Sequence, residues 1–177
     1  FEKEYYQKNN FKVDFVGHPL VDEIAKDNFP FSIETEKPII ALLPGSRKQE
    51  ISKMLPKMLG VLNDFSNYQF VVATANAVEE EFYKNIIGDH SVIVVRNETY
   101  GLLKNAKAAL VTSGTATLET ALFEIPQVVC YKTNPVSYQI AKRMVKTKFI
   151  SLVNIIMDKL VVKELIQEGL NPRILSN

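Results

Sequence analysis

Short apolar runs rich in β-branched residues recur along the chain, and segments with helical spacing separate most of them. Most of these runs are apolar throughout rather than at alternate positions, which is typical of parallel strands covered on both faces. The pattern therefore predicts an α/β fold built on a doubly wound, Rossmann-like parallel sheet. The predicted strands are residues 12–16, 38–43, 68–74, 91–95, 106–112 and 126–131.

The segments between the predicted strands carry helix signals. Three glutamates at 79–81 fall in the first turn of one predicted helix, where the helix dipole favours acids, and Gly88 suits its end. Residues 51–62 form an apolar stripe at helical spacing, and Pro56 within it predicts a kink or two short helices. Residues 28–38, with two prolines and no sustained period, are predicted to be a connector.

Composition narrows the class of protein. The 177 residues include 21 basic and 20 acidic side chains, for a net charge of +1, which argues against a general nucleic-acid binder. Cys130 is the only cysteine, so no disulfide framework and no CxxC metal pattern is predicted. No apolar run approaches the roughly 20 residues that span a bilayer, and the start lacks the layout of a signal peptide. The lone cysteine fits a reducing cytoplasm.

Residues 110–122, LVTSGTATLETAL, pass from a predicted strand through small and hydroxyl residues into a helix. A helix N-terminus presents unpaired N–H groups that bind phosphate, and Gly114 would let a ligand approach closely. Ser113 and Thr115 offer hydroxyl donors, while the Glu119 carboxylate could accept the hydroxyls of a ribose. An equally weighted alternative is that Ser113 or Thr115 caps the helix and Glu119 completes a capping box.

Residues 41–51, ALLPGSRKQEI, form a second strand, turn and helix start. Gly45 and Ser46 could make a tight turn that accepts an anion, and the Arg47 guanidinium suits a pyrophosphate. Taken alone, a solvated arginine in a surface loop is the safer interpretation, and the P-loop spacing is absent. Because both turns follow strands of one parallel sheet, we expect them to open on the same edge and to hold one diphosphate together.

Two further features are a histidine in a predicted turn and a segment with several basic but no acidic side chains. His18, between Gly17 and Pro19, is predicted to be a structural hydrogen-bonding residue in a turn, and no metal site is predicted from the two separated histidines. A helix is predicted from Pro135, in a segment from 125 to 157 that contains no acid. Its cations suit an anionic substrate or an anionic membrane surface, beyond what the helix dipole explains. These cations are Lys132, Lys142, Arg143, Lys146 and Lys148.

Six strings, in order, resemble the lipid-A-disaccharide synthase family of GT-B type glycosyltransferases. They are FVGHPLVDE, LLPGSRKQEI, SGTATLETAL, PQVVCYK, IAKRMVKTKFISLVNII and VVKELIQ. The resemblance implies the C-terminal, donor-binding half of a GT-B fold. Residues 1–16 would be an interdomain crossover and first strand, 17–170 the UDP-sugar binding domain and 171–177 a truncated tail, with the N-terminal acceptor domain absent.

The resemblance also implies a reaction. It is the transfer of 2,3-diacylglucosamine from its UDP derivative to 2,3-diacylglucosamine 1-phosphate, which forms lipid A disaccharide 1-phosphate with inversion and releases UDP. No cofactor or metal is implied. The family's candidate general base lies in the first domain, so this chain is expected to bind UDP and to be inactive alone. The implied location is cytoplasmic, peripheral on the anionic inner membrane of a Gram-negative bacterium, and the full-length protein can form a homodimer.

Residue roles carry over from the matching strings. The two turns described above would contact the diphosphate. Glu119 would contact the ribose, and Arg96 would lie at the rim of the uracil pocket. Asn154 matches an active-site loop, although Val153 stands where the family has proline, which puts the rigidity of that loop in doubt. The donor-binding residues are Ser46, Arg47, Arg96, Ser113, Gly114, Thr115 and Glu119, with no catalytic base and no metal ligand in this chain.

Three other functions remain open at this point. UDP-N-acetylglucosamine 2-epimerases and the peptidoglycan-precursor glycosyltransferase share the architecture and an acidic ribose-binding residue. The strings VGHPLVDE and VKTKFISL favour the lipid family over both. A nucleotide-binding or membrane-docking module without chemistry of its own is the alternative from another class.

Overall fold

A computed structural model of the chain describes residues 2–134, 138 and 148–175. Six strands form one sheet in the order β3-β2-β1-β4-β5-β6, and every neighbouring pair is parallel. The predicted doubly wound α/β class is therefore confirmed. The helix predicted from Pro135, with the cations Lys142, Arg143 and Lys146, lies outside the described residues except at Tyr138.

The helices and strands alternate along most of the chain. The strands are β1 (Ile39–Leu43), β2 (Gln69–Thr74), β3 (Ile93–Arg96), β4 (Ala106–Thr112), β5 (Gln127–Tyr131) and β6 (Lys163–Ile166). The described α-helices are α1 (Glu2–Lys8), α2 (Pro19–Ile24), α3 (Lys48–Leu59), α4 (Glu80–Ile87), α5 (Thr99–Asn105), α6 (Thr115–Leu122), α7 (Leu152–Met157) and α8 (Pro172–Leu175). Short 3-10 helices lie at Leu62–Phe65 and Gln167–Gly169.

Strand β1 shows why a central strand of this sheet is apolar at every position. Ile40 and Leu42 pack into a core that includes Leu55 of α3. Ile39 and Leu43 belong to the core on the opposite face of the sheet. Successive strand side chains point to opposite faces, so a strand covered on both sides has no polar position to alternate with.

Strands β1 and β4 lie side by side at the centre of the sheet, where the strand order reverses. Their carboxyl ends lead into the turns before α3 and α6, respectively. In open α/β sheets, ligands bind at this reversal point, in the crevice outside the carboxyl ends of the strands. The fold thus brings the two turns predicted from the sequence to one edge.

The strand predicted at residues 12–16 is wrong, and with it the first strand assigned within residues 1–16. Residues 11–18 have no regular secondary structure, and Phe15 and Val16 are 74% and 93% exposed. The alternation of polar and apolar residues satisfied the local signal for a strand. A strand also needs a hydrogen-bonded neighbour, and this segment pairs with no strand among the described residues.

Two elements differ from their sequence signals. Helix α3 continues through Pro56 to Leu59, so the division into two short helices at that proline is wrong. Strand β6 was not predicted as a strand, because Lys163 and Glu164 interrupt its apolar pattern. It lies at the edge of the sheet, where the Lys163 side chain is exposed and the Glu164 carboxylate accepts hydrogen bonds from Ser151 and Asn154.

Candidate functional site

A cavity of about 380 Å³ opens at the reversal point between β1 and β4. Both predicted turns line it, so the expectation that they open together is confirmed. Its lining also includes the carboxyl ends of β1, β2 and β4 and the first helical turns of α5 and α6. Of the predicted donor-binding residues, those in the lining are Ser46, Arg47, Ser113, Gly114, Thr115 and Glu119.

The turn between β1 and α3 depends on Gly45, whose φ of 111° lies in the region that favours glycine. A Cβ atom built there would lie 2.8 Å from the Glu50 Oε2 atom, so the carboxylate of Glu50 fills the space that a side chain would need. Ser46 donates its backbone N–H to that oxygen at 3.1 Å. The Arg47 guanidinium donates to Glu50 Oε1 at 3.0 Å, with the arginine side chain 80% exposed.

The turn between β4 and α6 ends at Gly114, which occupies the N-cap position with no side-chain cap. The prediction that Ser113 or Thr115 caps this helix is therefore wrong. Ser113 instead donates its hydroxyl to the Ile150 carbonyl oxygen at 2.9 Å, and Thr117 donates to the Gly114 carbonyl oxygen at 2.8 Å. The first N–H groups of a helix have no carbonyl partner within it, which leaves a site for an anion at this turn.

Glu119 lies one turn into α6 and lines the cavity. Within the described part of the chain its carboxylate has no hydrogen-bond or ion-pair partner, so it does not form a capping box. Burial raises its pKa above the ordinary range of a glutamate. A partly buried carboxylate without a partner, facing a cavity, is suited to accept hydrogen bonds from a ligand.

A second cavity of about 500 Å³ continues from the first and shares Ser46, Thr74, Ala75 and Thr99 with it. Its remaining lining includes the ring of Tyr100 and two asparagines, Asn76 and Asn97. Burial, followed by the nearby carboxylates of Glu119 and Glu23, raises the pKa of Tyr100. Because the two cavities share four lining residues, they form one groove.

Arg96 lies beside this groove without lining either cavity. It is exposed at the end of β3 and donates to the Asn76 carbonyl oxygen at 3.2 Å. Asn76 itself lines the second cavity. Arg96 is therefore placed to support the wall of that cavity through the backbone.

Asn154 is fully buried in α7, and its side chain is committed to hydrogen bonds within the protein. Its amide nitrogen donates to the Val162 carbonyl oxygen and to Glu164, both at 2.8 Å. Its oxygen accepts from the N–H groups of Val161 and Val162 at 2.8 and 2.9 Å. Asn154 holds the chain between α7 and β6 and is not part of the cavity lining.

Glu164 connects this cluster to the turn between β4 and α6. Its carboxylate accepts hydrogen bonds from the Ile150 N–H and from the N–H and hydroxyl of Ser151. Ile150 in turn accepts the Ser113 hydroxyl. One carboxylate on the edge strand therefore fixes the segment against which Ser113 rests.

Three further predictions concern His18, a metal site and a membrane-spanning helix. His18 is the N-cap of α2 and accepts a hydrogen bond from the Leu20 N–H at its Nδ1 atom, which confirms a structural role. Within residues 2–134 and 148–175, no group of three or more His, Cys, Asp and Glu side chains is placed to hold a metal ion. None of the described helices combines the length and apolar character needed to cross a bilayer.

Some residues of the groove were not predicted. Thr74, Thr99 and Thr112 line it because each stands at the end of a strand or the start of a helix on the same edge. Their positions follow from the strand order, which the sequence pattern did not supply. Glu50, three residues after Arg47, carries the signal of a helix-capping acid, and its place in the cavity depends on the conformation of Gly45.

Comparison with known proteins gives consistent matches. A family model described as lipid-A-disaccharide synthetase matches residues 1–177. A lipid-A-disaccharide synthase of Syntrophus aciditrophicus is 38% identical, over 97% of this chain and 48% of that protein. One of Coxiella burnetii is 34% identical, over 100% of this chain and 50% of that protein. The chain spans about half the length of the curated relatives it matches.

Solved structures also match parts of this chain. The glycosyltransferase SnogD from Streptomyces nogalater aligns with a TM-score of 0.42 at 17% identity, over 76% of this chain and 34% of that chain.

Proposed function

This chain belongs to the lipid-A-disaccharide synthetase family, and from that premise we propose that it supplies the donor-binding half of a glycosyltransferase. Its groove would bind the UDP moiety of a sugar nucleotide. The donor is the UDP derivative of 2,3-diacylglucosamine, and the acceptor is 2,3-diacylglucosamine 1-phosphate. The products are lipid A disaccharide 1-phosphate and UDP.

The proposed transfer moves one glycosyl group. The acceptor hydroxyl oxygen bonds to C1 of the donor sugar while the bond from C1 to the β-phosphate oxygen breaks. The electron pair of that bond leaves with UDP, and the acceptor proton passes to a general base. Donors aimed at the diphosphate would stabilise the negative charge that develops on the leaving group.

The observation that carries the proposal is the cavity at the reversal point. Arg47 and the N-terminus of α6 meet there from two different turns, and each favours an anion. Glu119 lies in the same lining with no partner of its own. We assign the diphosphate to the two turns, with contacts from Ser46, Arg47, Gly114 and Thr115, and the ribose hydroxyls to Glu119.

The second cavity is assigned to the uracil base. An aromatic ring and amide side chains are the groups that stack on a base and bond to its polar edge. Tyr100 and the two asparagines of this cavity supply them, and Arg96 supports its wall. Because this cavity shares residues with the diphosphate cavity, a single nucleotide could occupy both.

Both proposed substrates carry acyl chains, which partition into a bilayer. We therefore assign the reaction to the cytoplasmic face of the inner membrane of a Gram-negative bacterium, with the protein bound at the anionic surface. Asn154 retains its proposed place in an active-site loop, where it acts on the loop rather than on the ligand. We also propose that the full-length protein forms a homodimer.

Calorimetric titration of UDP, UMP and uridine into the chain tests the donor site. We expect the affinity to fall in that order, because each lost phosphate removes charge-assisted hydrogen bonds of about 1.5 to 3 kcal/mol. ADP is the matched control for the base pocket and should bind more weakly than UDP. Equal affinities for UDP and uridine would overturn the diphosphate assignment.

A further inference from the structure

Glu50 contacts the two groups of its turn that would bind phosphate. Its Oε2 atom accepts the Ser46 N–H at 3.1 Å, and its Oε1 atom lies 3.0 Å from the Arg47 guanidinium. The Ser46 N–H and the Arg47 guanidinium are both hydrogen-bond donors that favour an anion. Glu50 lines the same cavity as these two groups. The carboxylate therefore stands beside the place assigned to the diphosphate.

Capping of α3 explains only part of this arrangement. An acid at the third helical position can accept the N–H groups that precede the helix, and a neutral glutamine could do the same. The negative charge is not required for that hydrogen bond. Its partner Arg47 is 80% exposed, so solvent screens the ion pair and the pair adds little to stability.

The charges around the cavity are unusual for an anion site. Among the described residues that line it, Arg47 is the one cation, whereas Glu50 and Glu119 are both carboxylates. The Arg47 guanidinium already donates a hydrogen bond to the Glu50 carboxylate. Each negative charge added to the ligand therefore increases the repulsion from Glu50.

The proposed reaction changes the charge of the ligand. The diphosphate of a UDP-sugar is esterified at both ends and carries two ionised oxygens. Transfer of the sugar frees the terminal phosphate, whose last proton dissociates with a pKa of about 6. Above neutral pH the UDP product thus carries nearly one more negative charge than the donor.

We infer that Glu50 is a specificity-determining residue that favours the UDP-sugar donor over the UDP product by repelling the additional charge on the freed phosphate. The inference rests on the proposed function, since it requires that the diphosphate lie beside Ser46 and Arg47. Its consequence is faster release of product. Glu50 does this without taking part in the chemical step.

The test is the ratio of two affinities, measured by calorimetry at about pH 8, where UDP is fully ionised. The probes are UDP and UDP-N-acetylglucosamine, and the variants are Glu50→Gln and Glu50→Asp. Glutamine keeps the shape and the hydrogen-bond acceptor but removes the charge. We expect Glu50→Gln to raise the affinity for UDP about three- to tenfold more than the affinity for UDP-N-acetylglucosamine.

Two controls separate charge at this position from other causes. Glu50→Asp keeps the charge, so its affinity ratio should remain close to that of the wild type. Glu81→Gln removes an equal charge from the exposed start of α4, outside both cavities, and should leave the ratio unchanged.

The outcomes distinguish this inference from the proposed function. Wild-type binding of both nucleotides, with the same ratio in Glu50→Gln, would leave the proposed function standing and overturn the role of Glu50. A lower UDP affinity in Glu50→Gln would also overturn it. If the folded wild-type chain binds neither nucleotide, the proposed function and the inference both fail.

Discussion

The side-chain amide of Asn154 donates to the Glu164 carboxylate at 2.8 Å, while its carbonyl oxygen accepts from two consecutive backbone N–H groups. We expect Asn154→Ala to lower the free energy of unfolding by about 2 to 4 kcal/mol, because several polar partners lose their hydrogen bonds together. Urea denaturation measures this change. Asn63→Ala, at an exposed position of a 3-10 helix, should stay within about 0.5 kcal/mol of the wild type. A neutral Asn154→Ala would contradict the structural role.

Arg47 should affect binding and leave stability nearly unchanged. Its side chain is 80% exposed, so Arg47→Ala should alter the free energy of unfolding by less than about 0.5 kcal/mol. Loss of the contact between the Arg47 guanidinium and the diphosphate should weaken UDP binding by about 1.5 to 3 kcal/mol. Arg47→Lys should restore only part of this affinity, because lysine lacks the guanidinium fork. Calorimetry compares these variants with Lys53→Ala, which removes an exposed cation from α3. Unchanged UDP affinity in Arg47→Ala would remove this residue from the site.

Glu119 should make stability depend on pH. Burial raises its pKa in the folded state, so the folded chain binds more protons than the unfolded chain between the two pKa values. Stability conferred by the protonated carboxyl is therefore present below the unfolded value, about 4.3, and is lost as pH rises through the folded value. Glu119→Gln cannot titrate. We expect the wild type to lose stability relative to this variant as pH rises in denaturation experiments, and an opposite slope would contradict the assignment.

Gly101 of α5 packs closely against residues 28–38, the segment predicted to be a connector. A Cβ atom at Gly101 would lie 2.0 Å from the Pro30 carbonyl oxygen, so alanine cannot fit without moving the backbone. Gly101→Ala should destabilise the fold by about 3 kcal/mol or more. Gly169→Ala is the matched control, because a Cβ there meets nothing within 4 Å. Equal melting temperatures for the two variants would show that the connector does not pack on α5 in this way.

The parts of the fold that could be predicted are those with strong local signals. Strand β1 is buried at every position and is a continuous apolar run, and β4 is apolar except for the exposed Lys107 and the terminal Thr112. Both strands end in turns rich in small residues. Residues 12–16 show the limit of such signals. They alternate as a strand would, but whether a neighbour is present to pair with them depends on the whole fold.

The candidate site shows the same division. The two turns were predicted to meet because they follow strands of one parallel sheet. The hydrogen-bond partners of Ser113 and Asn154 could not be predicted, since they lie on segments that are distant in sequence. The place of Glu50 likewise depends on the backbone conformation at Gly45.

A crystal structure of the chain with UDP is the most direct test of the donor site. We expect the diphosphate to lie between the two turns, within hydrogen-bond distance of the Arg47 guanidinium and the N–H groups of Thr115 and Ala116. The ribose hydroxyls should lie on the Glu119 carboxylate. UDP bound at another edge of the sheet, with these groups left uncontacted, would contradict the proposed site.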